Sequence, residues 1–342
     1  MSESIQAAIE KPRKSRHMGA AFTLAVLAPL IAEVLSGATR MSFILAFVPE
    51  IMVWGCGALI IRELVRRWGG GWTSILLLGL GLSMAEEFVI QQTSLAPLPW
   101  PALGAAYGRA WGVNWVYFLF MLGYESVWVV LVPVQVTELI FRKHRNERWV
   151  GNFGLVITGL VFVLGSFAAW YAWIKRARPM VFHVPAYNPP MGTILAGVLA
   201  IALLALAAYL LRGVRRQETS HRATPWWVAG AAAMAFGFPW YLLMRPIFGA
   251  RSTLPFGIWM AGGIGWSVLA YVVLRYLSSS QGWTDMHRWA LVFGATLVCM
   301  IAGFAGSSAW PRVDVVGKWV LDICAVIGFV VLASRIRRGE RV

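Results

Sequence analysis

The sequence predicts an all-α, polytopic transmembrane helix bundle of about ten spans, and three observations carry that reading. The 342 residues are 59% hydrophobic and only 13% charged, whereas a soluble globular chain is about half apolar and a quarter charged. Ten stretches reach the roughly 20 mostly apolar residues that cross ~30 Å of hydrocarbon. Between them the basic residues fall in short clusters, the pattern that fixes orientation in a membrane. The runs are continuous rather than alternating, which favours helices over a barrel, because each helix satisfies its own backbone in lipid.

In chain order, a polar, basic tail occupies residues 1–17, with no small-residue cleavage site after the apolar run that follows. That run is read as a retained span, not a signal peptide. The spans fall at 18–37, 42–61, 72–92, 113–141, 150–174, 191–211, 225–244, 255–274, 289–309 and 315–334. The first four, within 18–141, hold most of the intramembrane polar residues. Six plainer spans follow within 142–334, and a short basic tail occupies 335–342. Several of the 19 Trp stand at span ends (Trp72, Trp115, Trp149, Trp226, Trp289, Trp310), where amphipathic rings favour the headgroup level. The loop 93–112 is rich in Pro and aromatics and hardly charged, so it is expected to lie on the membrane or dip back into the protein. The loop 175–190 carries Lys175, Arg176, Arg178 and His183 between prolines. The glycines at 69–71 make a turn; without a following Lys-Ser/Thr they are no phosphate loop.

The net charge of +15 is explained by this layout. With ten spans, 21 basic residues fall in the two tails and in the loops around Arg66, Arg145, Arg215 and Arg288. Nine, from Arg40 to Lys318, fall on the other side. The richer side is cytoplasmic by the positive-inside rule, which places both termini in the cytoplasm of a bacterial inner membrane. An odd span count loses the asymmetry. Clusters parted by apolar runs do not form a nucleic-acid face, and nucleic acid is excluded as a partner. Cys56, Cys299 and Cys324 lie inside apolar runs without metal-ligand spacing and read as small buried hydrophobes. Neither a metal centre nor a cofactor is expected.

Of the 15 acidic residues, seven are glutamates in or at the ends of the first four spans. Glu63, beside Arg62, Arg66 and Arg67, reads as an exposed helix-end ion pair. Glu138, one turn from the basic stretch after it, reads the same way. The other five differ: Glu33, Glu50, Glu86 and Glu87 are placed in the outer half of the bilayer and Glu125 near its middle. Asp322 stands at similar outer depth in the last span. No Lys or Arg is expected at matching depth in these helices, and Arg40 is the nearest basic residue in sequence. A charge at the bilayer centre costs at least ~2.5–3.5 kcal/mol, so such acids face the bundle or water and mark function. Ser83, Glu87 and Gln91 follow at helical spacing as one polar stripe. Glu86 is turned by ~100° from Glu87 on a straight helix, which makes Glu87 the inward member. Pro29, Pro49 and Pro133 interrupt three of the four helices, and broken helices at membrane depth line cavities. Tyr117 and Tyr124 share a face of the fourth span, with Glu125 beside them.

The segment 81–91 (GLSMAEEFVIQ) resembles the first motif of the CPBP family, the CAAX-protease and bacteriocin-processing intramembrane proteases, in which a Glu-Glu pair is followed four residues on by Arg. Here Gln91 stands in the place of that Arg. The family's second motif, Phe-x-x-x-His, has its best-placed counterpart in residues 121–125 (MLGYE), where Met replaces Phe and Glu125 replaces His. The resemblance implies Glu86 or Glu87 as the base that activates water for peptide hydrolysis. The five histidines (His17, His144, His183, His221, His287) all fall in loops or tails, which leaves His183 as the one histidine that would reach the site if its loop folds inward. The chain also resembles bacterial multi-pass proteins in which the second span ends in Arg-Glu-Leu, here residues 62–64, and the third carries a Glu pair; that likeness implies no activity.

Three functional readings follow. In the leading one, Glu33, Glu50, Glu87, Gln91 and Glu125 form an outward-side site that binds or translocates a proton, a cation or a cationic small molecule. In the second, an intramembrane hydrolase uses Glu86 or Glu87 as general base. In the third, the acids are protonated, hydrogen-bond neighbouring helices, and the protein is a membrane scaffold.

Overall fold

Ten apolar helices follow one another along the chain, as a backbone in lipid requires. The computed structural model describes residues 17–99, 107–214, 220–248 and 252–339. The basic tail up to Arg16, together with Arg215, Arg216, Arg251, Arg341 and the 100–106 part of the first long loop, lies outside the described residues. The helices are α1 (Met18–Val34), α2 (Met41–Trp68), α3 (Trp72–Ile90), α4 (Trp115–Ile140), α5 (Asn152–Met180), α6 (Met191–Gly213), α7 (Trp226–Ile247), α8 (Phe256–Ser278), α9 (Asp285–Ala302) and α10 (Arg312–Gly339). Among the described residues nine of them, α2 to α10, are long and apolar enough to cross a membrane, and α1 is apolar but shorter. The chain is a multi-pass α-helical membrane protein. A two-residue antiparallel ladder, β1 (Arg109–Ala110) with β2 (Val113–Asn114), leads into α4.

Burial separates the helices into a centre and a rim. The most apolar windows of α3, α4 and α9 are 61%, 67% and 61% buried, against 11% for α5 and α6 and 6% for α8. The rim helices expose Phe153, Leu160 and Phe167 on α5, Leu199 and Leu203 on α6, and Val268 and Val272 on α8. A helix apolar all round with most of its surface open is a lipid-facing helix. Inside, α1 packs on α2 and α4, α3 on α4 and α6, and α7 on α9. Small residues let the backbones close, as in membrane bundles generally. A Cβ on Gly55 would stand 2.0 Å from the Ala25 carbonyl oxygen, and one on Gly294 2.5 Å from that of Gly230.

Three expectations about the ends and faces of helices are corrected. Helix α5 continues to Met180, so Lys175, Arg176 and Arg178 belong to it and not to a loop. Arg178, 3% exposed, donates to the carbonyls of Pro97 and Pro185 at 3.0 and 3.1 Å; an apolar run ends at a charge, but a helix does not when the charge finds acceptors. Helix α9 starts at Asp285, upstream of residue 289, because Thr284 and His287 form a capping box. His287 is therefore a buried helix residue. Of the cysteines, Cys56 and Cys299 are buried but Cys324 is exposed, on the open face of α10.

Candidate intramembrane acidic site

Each of the first four helices contains a π-helical turn, at Leu30–Val34, Ile51–Gly55, Glu86–Ile90 and Glu125–Leu131. The singled-out acids stand in or beside these turns. Glu33 is in the first, Glu50 directly precedes the second, Glu86 and Glu87 open the third, and Glu125 opens the fourth. A π turn inserts a residue into the ladder and re-aims the side chains around it, and such turns concentrate at functional sites. In α4 the widened turn also frees space at Val129, the carbonyl four residues before Pro133 with which the ring would collide.

The third turn corrects the expectation that Glu87 alone points inward. Glu86 and Glu87 are both buried, at 2% and 1% exposure, because the 100° step of a straight α-helix does not hold across the π turn. The polar stripe is broken at the same place. Ser83 and Glu87 are buried, Gln91 is only half-buried, and Gln92 is buried in its stead. Gln92 adopts the left-handed conformation at φ 58°, which reverses the chain and carries Thr93 and Ser94 into the interior. The start of the 93–112 loop thus packs inside the protein, held by the Asn114 side-chain amide donating to the carbonyls of Thr93 and Ala96.

Partners are few. Ser94 Oγ donates to Glu87 Oε2 at 2.6 Å, and Thr39 Oγ1 donates to Glu50 Oε1. Among the described residues, both carboxyl oxygens of Glu86 and Oε2 of Glu50 are buried without a hydrogen-bond partner, and Glu125 has the Ser83 hydroxyl beside it. Glu33, Glu86, Glu87 and Glu125 lie within electrostatic reach of one another, with Tyr117 in the same field, and Glu33 is also within reach of Glu50. Glu33, partly buried, is thus the link between Glu50 on α2 and the acids on α3 and α4. Sequence reasoning named the acids and Ser83 but missed Ser94, Thr39 and Gln92. Tyr124 caps the cluster's apolar side, its hydroxyl donating to the Ala32 carbonyl while its ring stacks on Phe120 and Trp128.

Among the described residues, Glu63, Glu138, Asp285 and Asp322 stand in ion pairs, and Asp314 accepts from the backbone amide and the hydroxyl of Ser42 at 2.8 and 2.9 Å. Lys318 lies inside α10, one turn from Asp322, and donates to it at 2.9 Å and to the Leu35 carbonyl at 2.7 Å. This corrects the expectation that no basic residue matches the acids in depth. Glu63 and Glu138 are corrected too: neither is exposed. Arg62, itself 0% exposed, donates to Glu63 at 2.7 Å, to Glu138 at 3.4 Å and to the carbonyls of Arg145 and Glu147. Its guanidinium lies 3.5 Å from the centre of the Trp149 ring. Arg66 grips both oxygens of Glu138, at 2.6 and 2.7 Å. Arg142, Arg145 and Arg288 surround Asp285. Twelve residues, ~18 Å of helix, separate Glu50 from Arg62 on α2, so acids without cations occupy one end of the bundle and a neutralised network the other.

The described histidines are placed elsewhere. His183 is exposed, so its loop does not fold inward. His287 is bonded to Thr284 and the Thr224 carbonyl, His221 stacks on Tyr276, and His17 and His144 meet Glu147. Fold and geometry define a multi-pass membrane protein with a buried group of glutamates. Comparison with models of known families, with curated proteins and with solved structures finds no match.

Proposed function

We propose that this is a protein of a bacterial inner membrane, with both termini in the cytoplasm, in which Glu33, Glu50, Glu86, Glu87 and Glu125, with Gln91 at the end of α3, bind or translocate a proton, a cation or a cationic small molecule. One observation carries the reading: Glu86 buries both of its carboxyl oxygens without a hydrogen-bond partner among the described residues. Burying an acceptor unsatisfied costs ~1–3 kcal/mol, and more when it is charged. Several carboxylates in one low-dielectric space also repel, so they do not ionise together unless positive charge joins them. A scaffold has no reason to keep such a group unsatisfied, whereas a site that exchanges protons or cations has to. The Lys318–Asp322 pair shows the contrast, since there the chain supplies its own cation.

The CPBP-type hydrolase has less support. A base at Glu86 or Glu87 needs a partner that shuttles the proton to the leaving group, and the described histidines are exposed or bonded to other groups.

Two measurements test the proposal. Reporter fusions after Arg148 and after Arg341 read cytoplasmic if ten helices cross and the 21-to-nine charge division sets orientation. A periplasmic reading at either point overturns the topology. For the site, Glu87→Gln keeps the shape and the bond from Ser94 but removes the titrating group. Wild-type thermal stability is expected to vary across roughly pH 5 to 9 in a way that the variant's does not. Superimposable curves would remove Glu87 from any proton- or cation-exchanging role.

A further inference from the structure

His17 meets two side chains more than a hundred positions away, His144 and Glu147, at the end of the bundle that holds the Arg62 network. His17 precedes α1, and His144 and Glu147 lie between α4 and α5. The two imidazole rings stack with centroids 3.7 Å apart. One carboxylate takes both: His17 Nε2 donates to Glu147 Oε2 at 2.7 Å, and His144 Nδ1 to Oε1 at 3.2 Å. The metal-binding atoms of the three residues all lie within 4.8 Å of one another. We infer that His17, His144 and Glu147 form a surface site for a divalent transition-metal ion of the zinc type, which clips the start of α1 to the α4–α5 loop. This site is independent of the intramembrane acids.

The donor set fits that class of ion. Imidazole suits zinc, copper, nickel and iron, and two histidines with one carboxylate leave a coordination position for water. Zinc–nitrogen distances of ~2.0–2.1 Å put tetrahedral ligand atoms ~3.3 Å apart, so no present separation has to close by more than about 1.5 Å. Glu147, 47% exposed, and His144, 38% exposed, have room to make that movement. A carboxyl group as exposed as Glu147 is charged at neutral pH. The metal takes the place of the two bridges between the rings and the carboxylate, each neutral ring carrying its proton on the nitrogen that does not bind. The position has a structural consequence. The His17 backbone amide donates to the Trp149 carbonyl at 3.0 Å, and Trp149 covers Arg62. A metal here therefore ties α1 to the cover of the buried network.

The test uses the full chain, purified in detergent through a tag without histidine. Zinc chloride is expected to raise Tm in a concentration-dependent manner, and cobalt chloride to give visible absorption bands of a low-coordinate site. His144→Ala and Glu147→Gln are each expected to weaken binding by about 100-fold or more, since even a ligand's outer partner is worth 10–100-fold. His183→Ala, on an exposed loop, leaves it unchanged. No zinc shift and no cobalt spectrum in the wild type overturns the site. Undiminished binding in both variants overturns it too and moves the metal elsewhere. Should His144→Ala fail to fold, Glu147→Gln, which keeps the hydrogen-bonding shape, decides alone.

Discussion

Arg62→Met is expected to destabilise the protein by about 3–5 kcal/mol, the usual cost of leaving buried charges without their partner. The guanidinium is fully enclosed and serves two carboxylates, two loop carbonyls and the face of Trp149 at once. Methionine fills much of the volume but leaves Glu63 with the Trp149 amide at 2.9 Å and the more distant Arg67 at 3.8 Å, and brings the α4–α5 loop carbonyls to an apolar surface. Arg62→Lys is expected to recover little of the loss. An ammonium has neither the planar fork that reaches acceptors on several sides nor a flat face to lie on an indole. Glu138 suffers less, because Arg66 still holds both of its oxygens. The measurement is the unfolding midpoint in detergent for wild type, Arg62→Met and Arg62→Lys. A methionine variant within about 1 kcal/mol of wild type would mean that the network is a solvated surface cluster after all.

That network also marks what the sequence does and does not disclose. The helices are legible because lipid admits only continuous apolar segments, and a hydropathy reading follows the same physics as the fold. Its errors lie where a charge finds a hidden partner. Lys175 ends the apolar run of α5, yet the helix continues to Met180, where the Pro97 and Pro185 carbonyls accept from Arg178. Glu63 and Glu138 look like exposed helix-end pairs because a sequence shows neighbours along one helix and not the Trp149 lid laid over them. The Lys318–Asp322 pair is the exception, since its i,i+4 spacing stands in the sequence and needs no tertiary information. Burial of Glu50, Glu86, Glu87 and Glu125 is expected of acids with no basic residue nearby. The inward turn of Glu86 is not, because it comes from a π turn that no side-chain pattern announces. The His17–His144–Glu147 group is invisible for a simpler reason: 127 positions separate its first two members, and only the packing of α1 against α4 brings them together.

Glu86→Met is expected to stabilise the protein while abolishing its response to cations. Among the described residues both oxygens of Glu86 are buried without partners, so the wild type carries their desolvation cost and the carboxyl's share of like-charge strain. A methionine of similar volume removes both and fits an apolar helix interface, for an expected gain of about 1–3 kcal/mol in protein free of added cations. Stability gained by removing an unsatisfied group, with function lost, is the trade expected where the group is kept for its chemistry. Three salts, sodium, magnesium and manganese chloride, are compared by thermal shift with N-methylglucamine chloride at equal ionic strength, which separates specific binding from screening. The same variant in liposomes loaded with a pH-sensitive dye reads proton movement. Under the proposed function wild type responds to at least one of these probes and Glu86→Met to none. If Glu86 instead served as a structural hydrogen-bonding group, methionine would lower the midpoint and leave every cation and proton response as in wild type, because the loss would fall on packing between α3 and α4 and on nothing that moves.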